Sequence, residues 1–579
     1  MPDDRPVPLS GTTRADHLER LRSATADSPL DVLVVGGGVN GAGAAFDAAS
    51  RGLNVGLVEA SDWASGTSSR SSKLMHGGLR YLQMLDFTLV AEALRERDRL
   101  LTRTAPHLVR RISFVFPFFR HAVDRAFIGS GVALYDAMQT VGRKRAVPFH
   151  RHLSRRRMLE RFRGLDGDKA VGAIEYFDAQ MDDARFVMML VRSAVEHGAA
   201  ATTYTRVLDY LRDGEEVIGA TVRDETTGEE LDVHARTTIL AGGVWTGRQQ
   251  DLVTSEQGLR VQASKGVHLV VPRERIPAVQ DVGIITQTEK SVLFIIPSDE
   301  YWVIGTTDTP WEADVDDVAT TATDIDYILE HANAVLESDL THDDIIGTFA
   351  GLRPLVQPVR SSEKGSAKVS REHTVMQVAP GLSAIAGGKY TTYRVMAEDV
   401  VDFAIKDVFP GRRSVTESVP VLGGQGFAEA QRDSGAIANR LGLDAARMER
   451  LLFRYGTLVR DVLAPADADH ELAQPLSHAP RYLRAEVLYA AREEGVVHLA
   501  DVMKRRLRLD YEVRDRGHAA AQEIADLIAP ELGWDQDRIA AEVSAYRAHV
   551  AARLAAEKVA TDKEAARLIA DAPEVPTLT

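Results

Sequence analysis

The sequence predicts an α/β protein with an N-terminal dinucleotide-binding domain, at least one further domain, and a helical C-terminal remainder. Three observations carry this. Residues 32–59, VLVVGGGVNGAGAAFDAASRGLNVGLVE, read as a complete strand–turn–helix–strand unit ending in an acid. A chain of 579 residues exceeds what one core supports, so two or three domains are expected. Beyond a glycine-rich joint at 423–426, the pattern turns helical, with helices expected near 428–440, 446–463, 481–495, 515–528 and 535–571.

Val32–Val35 form an apolar run short enough for a buried parallel strand. Gly36, Gly38 and Gly41 follow at G-x-G-x-x-G spacing: the first permits the tight turn, the second lets backbone approach a pyrophosphate, and the third lets helix pack on strand. The helix opening there aims its N–H groups and positive dipole end at the phosphates, beside Asn40. After a second apolar strand, Leu53–Val58, Glu59 is placed to accept hydrogen bonds from ribose hydroxyls. A lone glycine fingerprint is weak, but here both strands, the helix and the acid agree.

The remaining elements read in order. Residues 1–29 are polar and read as a loosely ordered arm without a signal-peptide apolar region. The Ser/Thr/Gly-rich segment 61–82 reads as a long loop, followed by a helix over 86–103. A second helix (183–197) leads to strands near 201–211 and 217–223, a hairpin at Thr227–Gly228, and a strand Thr237–Leu240. Later strands are expected at Val267–Val271, Val292–Pro297, Tyr301–Gly305, Thr374–Val378 and Ser383–Ala386, then a helix from about Thr391 to Val408.

Composition narrows the function classes. The absence of cysteine excludes disulfides, Cys-ligated zinc, iron–sulfur clusters and thiol catalysis, and agrees with a reducing cytoplasm. No metal site is expected. No apolar run reaches the ~20 residues needed to span a bilayer. The net charge of −15 is uneven: residues 103–163 hold fourteen Arg/Lys against three Asp/Glu, alongside Ile112–Phe119 and an apolar stretch at 127–138. That mixture fits an anionic membrane surface, or alternatively a basic face paired with acids elsewhere. Nucleic acid is not expected, because no recognition motif accompanies the charge. With one fingerprint at the N-terminus and distant segments built to return to it, the expected cofactor is FAD rather than NAD.

The string VGGGVNGAGAAFDAASRGLNVGLVEASDWASGTSSRSSKLMHGGLRYL closely resembles the FAD-dependent, membrane-associated glycerol-3-phosphate dehydrogenases. So do SKGVHLVV (264–271), WVIGTTDTP (302–310), GLRPL (351–355) and AGGKYTTYR (386–394). The resemblance covers about residues 30–410, and the helical remainder matches that family's cap domain in position. It implies an α/β flavoprotein of glutathione-reductase/D-amino-acid-oxidase type, with a Rossmann-like FAD domain, a mixed-sheet substrate domain and an all-helical C-terminal cap. FAD parts are expected at about 30–110, 180–265 and 345–410, substrate parts at 111–179 and 266–344, and the cap at 421–579. The family oxidises sn-glycerol 3-phosphate to dihydroxyacetone phosphate and passes electrons to membrane quinone. A cytoplasmic protein held at the inner face of the membrane is implied, and a homodimer is left open. The long N-terminal arm, a longer acidic tail and AGG near the flavin depart from the family pattern.

The resemblance assigns candidate roles. Arg80, Tyr81 and Arg353 are candidates for holding the substrate phosphate, since arginine's planar fork suits that group. His268 is the candidate base for the hydroxyl proton, a buried core histidine being the alternative. Lys389 is the second active-site cation, binding substrate and stabilising alkoxide, product carbonyl or reduced flavin. His76 is a candidate base, flavin-facing group or packing residue. For the flavin, Thr67, Ser68 and Ser72 are candidate donors. Gly388, Thr391 and Thr392 open a helix toward the pyrimidine edge, although the threonines fit equally as helix caps. Asp308 either orients a neighbouring cation or merely turns the chain. Competing readings are an oxygen-using oxidase, an amine or amino-acid oxidase, and a non-catalytic flavin-bound scaffold.

Overall fold

A computed structural model describes residues 5–78, 87–119, 123–140, 145–254, 259–279, 281–288, 292–358 and 373–573. Two large sheets dominate these residues. The first runs His373–Ala379, Leu382–Gly387, Glu230–Leu240, Leu30–Val35, Val55–Val58, Ala200–Thr202, and its four inner neighbour pairs are parallel. Leu30–Val35 is buried along nearly its whole length because helices cover its faces, which is why it reads as a continuous apolar run. The helices Val39–Ser50, Asp183–Glu196 and Tyr393–Ile405 pack together over one face. The sequence-expected strands and the 227–228 hairpin are present, except that the strand expected near 201–211 divides into Ala200–Thr202, in the parallel sheet, and Thr205–Asp213, which pairs antiparallel with Glu216–Asp224. The last strand of the hairpin extends back to Glu230.

The second sheet is mixed. Its spine is the long antiparallel pair Leu259–Pro272 and Gly347–Pro358, in register from Leu259↔Pro358 to Val270↔Gly347. Tyr301–Gly305 pairs with Leu259–Pro272 along the other edge. Further out lie Val109–Phe118 and Gly172–Met181. Here one expectation is corrected. Ile112–Phe118 is not an exposed apolar patch but an interior strand: Ile112, Phe114, Phe116 and Phe118 enter one core, and Val115 the other. Several arginines of the basic stretch face acids, as in Arg110–Asp299, Arg161–Glu175 and Arg155–Asp168. Leu134, Phe119 and Phe149 remain exposed.

The N-terminal arm also differs from expectation. Gly11–Arg22 is a helix capped by Ser10, whose hydroxyl accepts from Thr13 N. Leu21 is buried, His17 Nδ1 lies 3.0 Å from Ala201 O, and Arg14 pairs with Asp224 at 2.7 Å. Only a narrow stripe of this helix is apolar, so composition hides it.

The C-terminal part is helical as expected, but the 481–495 segment begins as the strand Ala479–Leu483 and is helical over Arg484–Glu493, the 515–528 helix is displaced to Ala521–Leu532, and two segments are interrupted. The 446–463 segment breaks at Gly456 (φ +58°), where a Cβ would stand 2.1 Å from Gly423 O. The 535–571 segment divides into Gln536–Ala556 and Asp562–Ala570. Residues Val421–Leu483 share the core of the flavin-side helices, and a separate core begins around Leu476. The seam is ionic as well as apolar. Asp62, on the loop after Glu59, is wholly buried between Arg505 and Arg506; Arg506 makes a bidentate pair at 2.6 and 2.7 Å. Burial alone would lift the Asp62 carboxyl, but the two guanidiniums hold it below the usual carboxylate range. Asp182 is held likewise by Arg454 at 2.7 Å and Arg508 at 3.3 Å.

Breaking a buried pair leaves an uncompensated charge. Asp62→Asn is therefore expected to destabilise the protein by about 3–5 kcal/mol, seen as a lowered thermal midpoint with early loss of bound flavin.

Candidate active site

The carboxyl ends of the parallel strands converge on one cavity of about 730 Å³, the position where open α/β sheets bind ligands. Leu30–Val35 delivers Gly36, Gly38 and Asn40; Val55–Val58 delivers Glu59; Glu230–Leu240 delivers Ala241–Gly243; Leu382–Gly387 delivers Gly388 and Lys389.

The glycine turn has the shape of a pyrophosphate cradle. Gly36 has φ +111°, and a Cβ there would stand 2.6 Å from Ala241 O. At Gly41 a Cβ would fall 1.7 Å from Gly36 O, so this position makes close packing of helix on turn possible. Asn40 lines the cavity, and its Oδ1 is buried with no hydrogen-bond partner among the described residues. Glu59 accepts from Gly37 N at 2.5 Å and Ser61 N at 2.8 Å, which aims the carboxylate across the turn. Burial lifts its pKa above the ordinary carboxylate value, partly opposed by those two N–H groups. Ser68 Oγ accepts from Val39 N at the helix start, at 2.9 Å. Cradle, orphan amide and half-buried acid together fit an adenine dinucleotide.

Other expected flavin contacts are used differently. Thr67 Oγ1 donates to Leu352 O at 2.5 Å. Thr391 Oγ1 both accepts from His76 N and donates to His76 O, at 3.0 Å each, and Thr392 Oγ1 donates to Lys389 O at 3.2 Å. All three threonines fasten loops to one another; Thr67 also lines the cavity, whereas Thr391 and Thr392 do not. Ser72 Oγ lies 2.9 Å from His268 Nε2, a contact that sequence spacing does not predict. His76 is held by its backbone, and its ring meets Phe294 edge-on at 6.2 Å, outside the cavity lining. Arg80 and Tyr81 lie outside the described residues.

The catalytic end is built by strand periodicity. His268 faces Phe349, Gly266 faces Gly351 and Ser264 faces Arg353 across the antiparallel pair, so alternate positions share one face. The central pair is Gly–Gly. A Cβ on Gly266 would meet Arg353 Nη2 at 2.6 Å, and one on Gly351 would meet Arg70 Cβ at 2.7 Å. The missing side chains thus admit the Arg353 guanidinium and the 61–78 loop. Arg353 donates to Thr306 Oγ1 at 3.1 Å and Thr307 O at 3.2 Å, and pairs with Asp308 at 3.3 Å. Asp308 therefore orients a cation, the first of its two readings. Lys389 lines the same cavity after Gly387 and Gly388, both at positive φ.

His268 stacks on Phe349 at 4.7 Å with the rings 14° apart. Burial, with Arg353 and Lys73 nearby, pushes its pKa well below the usual imidazole value, so the ring is neutral near pH 7. With Nε2 against Ser72, Nδ1 is buried without a hydrogen-bond partner among the described residues. Lys73 sits 5.0 Å above the Phe349 ring and pairs with Asp183 at 2.6 Å. Phe349, Lys73 and Asp183 support the histidine, and only their three-dimensional neighbourhood reveals them.

Fold and site define a flavin-dependent oxidoreductase with a helical cap. A family model described as FAD dependent oxidoreductase matches residues 31–394, and one described as C-terminal domain of alpha-glycerophosphate oxidase matches 414–539. Glycerol-3-phosphate dehydrogenase 2 of Mycobacterium tuberculosis is 47% identical over 547 residues, covering 94% of this chain and 92% of its own. The glycerol-3-phosphate dehydrogenase of Mycobacterium leprae is 46% identical, covering 95% and 92%. The crystal structure of the Bacillus halodurans glycerol-3-phosphate dehydrogenase complexed with FAD superposes with a TM-score of 0.76 at 28% identity, over 95% of this chain and 98% of that one. The chain belongs to the FAD-dependent glycerol-3-phosphate dehydrogenase family, and FAD is its cofactor.

Gly41→Ala is expected to yield folded but largely colourless protein, because its Cβ collides with the Gly36 carbonyl. Flavin absorbance per mole of purified chain checks this.

Proposed function

We propose that the protein oxidises sn-glycerol 3-phosphate to dihydroxyacetone phosphate and passes the electrons to a membrane quinone. FAD supplies the hydride acceptor. The observation that carries the reading is a neutral, buried His268 and an oriented Arg353 placed on one sheet face, with Lys389 in the same cavity. Arg353, fixed by Thr306, Thr307 and Asp308, presents its fork to the phosphate dianion. Arg80 and Tyr81 are proposed as further phosphate donors. His268 donates Nε2–H to Ser72, leaving the Nδ1 lone pair to take the hydroxyl proton as the carbonyl forms. Lys389 stabilises the negative charge that develops on that oxygen. His76, held against Thr391, positions the loop.

Curated relatives named glycerol-3-phosphate dehydrogenase support the substrate. The quinone acceptor rests on the sequence resemblance. Association with the inner face of the membrane is supported by Leu134, Phe119 and Phe149, exposed within a strongly basic stretch. Among the described residues, no helix is long and apolar enough to cross a membrane.

The decisive experiment is anaerobic mixing of the yellow protein with sn-glycerol 3-phosphate. Rapid bleaching, absent with glycerol, supports the reading, and an unchanged spectrum sinks it. Peroxide released in step with turnover would replace quinone by oxygen as acceptor.

His268→Ala is expected to slow flavin reduction by about 100- to 10,000-fold. Because the neutral ring is the active form and its pKa is depressed, the acid limb of the wild-type rate should lie below pH 6.5. A limb at or above 6.5 would contradict the assignment. Arg353→Ala is expected to weaken substrate binding by about 10- to 100-fold, from loss of charge-assisted hydrogen bonds, and to lower the bleaching rate less than His268→Ala does.

A further inference from the structure

A second cavity of about 170 Å³ adjoins the first, sharing Arg70, Asp316 and Val318 with its lining, and lies between the strand Gly347–Pro358 and the C-terminal helices. Arg70, Phe349 and Tyr511 line it from the active-site side. Lys504, His549 and Arg553 line it from the C-terminal side. Its carboxylates are already engaged. Asp316 pairs with Arg248 at 2.7 Å, Asp510 with Arg553 at 2.8 Å, and Glu557 with Arg516 at 3.0 Å. Arg505, also at its edge, is committed to Asp62 and Asp501.

Two cations are left over. Lys504 makes no hydrogen bond or ion pair to any described residue, and Arg70 donates only to Ala350 O, at 3.2 Å. Burial, reinforced by the surrounding guanidiniums, depresses Lys504 to about 7 and Arg70 to about 10. His549 is pushed down to about 4 by burial and then by Lys504 and Arg553. Two further polar atoms on lining residues are buried and unpartnered among the described residues: Tyr511 Oη and Asp510 Oδ1. Lys504 and Arg70 are half-buried, and a surplus of positive charge largely removed from water costs free energy unless an anion neutralises it. The pair of cations suits oxyanion oxygens, Tyr511 adds a neutral donor, and Asp510 Oδ1 suits a ligand that still carries an acidic hydroxyl.

We propose that this cavity is a second anion site, adjoining the active-site cavity and sharing Arg70 with its lining, that takes a small phosphate group through Lys504, Arg70 and Tyr511. A monoprotonated phosphate satisfies all four groups, because its P–OH donates to Asp510 Oδ1 while its other oxygens accept from the cations and the phenol. The size admits inorganic phosphate or a phosphate monoester of one or two carbons. The site does not rest on the glycerol 3-phosphate reading: Lys504, Tyr511 and Asp510 lie outside the active-site cavity, and Arg70, which lines both, has no role in the proposed catalysis. Its occupant would touch Phe349, on which His268 stacks.

Arsenate, a heavy analogue that keeps the phosphate hydroxyl, locates the site in crystals of the FAD-loaded full chain. An anomalous peak within hydrogen-bonding distance of Lys504 Nζ is expected, whatever is bound near Arg353. Calorimetry should find one phosphate more per wild-type chain than per Lys504→Met chain, or a Kd weakened about tenfold or more in that variant. Lys504→Met removes an unpaired, half-buried cation, so it should fold, keep its flavin and melt no lower in phosphate-free buffer. Lys504→Arg should restore binding. Methyl phosphate binding as tightly as inorganic phosphate identifies a monoester site; much weaker binding identifies the free ion. Arsenate absent from the Lys504 cavity, or equal phosphate stoichiometry and affinity in wild type and Lys504→Met, would overturn the proposal.

Discussion

The buried carboxylate of Asp62 is the constraint on which the active site rests. It lies at the start of the loop that carries Ser68, Ser72 and His76, and its two arginine partners come from residues 505 and 506 of the C-terminal helices. A charge taken fully out of water is tolerated only with close, multiple partners, so the loop and the cap must dock together. The Asp182 pairs with Arg454 and Arg508 repeat the arrangement beside the first turn of the helix Asp183–Glu196. Asp183 in turn accepts from Lys73 and from Ser71, the residue next to the serine that meets His268. The cap is therefore part of the scaffold of the site as well as its cover.

Within that scaffold, two devices divide the work. The parallel sheet offers backbone: glycine turns at strand ends, a helix N-terminus and the fixed Glu59 carboxylate make a place for phosphate and ribose at low conformational cost. The antiparallel pair offers side chains. Period-two alternation sets His268 and Arg353 on one face, and the intervening Gly266–Gly351 pair clears the space that the arginine and the loop enter. Positive charge is concentrated where a dianion is expected, and this same charge, together with burial, keeps the imidazole neutral. The positive charge suited to a phosphate ester thus also keeps the proposed base, His268, in the proton-accepting form.

The basic stretch 103–163 shows how local composition can mislead. The apolar residues of the strand Val109–Phe118 face two cores, because it is an interior strand of the mixed sheet, and several of the arginines are matched by acids, Arg110 by the distant Asp299 and Arg161 by Glu175. Among the described residues, what remains available for a surface is smaller: Leu134 on the helix Val123–Thr140, and the flanking Phe119 and Phe149.

The sequence by itself determined the nucleotide-binding unit, the order of its strands and helices, the helical C-terminal part and the cofactor class. Each of these is written in short-range signals: apolar runs, glycine spacing and helical periodicity act over a few residues and need no distant partner. His268, Arg353 and Lys389 were legible through the strings that surround them. Only the tertiary structure decided that Thr67, Thr391 and Thr392 fasten loops, that Ser72 meets His268, and that Phe349, Lys73 and Asp183 support it. It also decided that residues 11–22 form a docked helix, and that Lys504 and Arg70 face one cavity. The physical reason is common to all of these: each depends on which polar groups remain unsatisfied after segments up to several hundred residues apart have packed together, and no local pattern encodes that remainder.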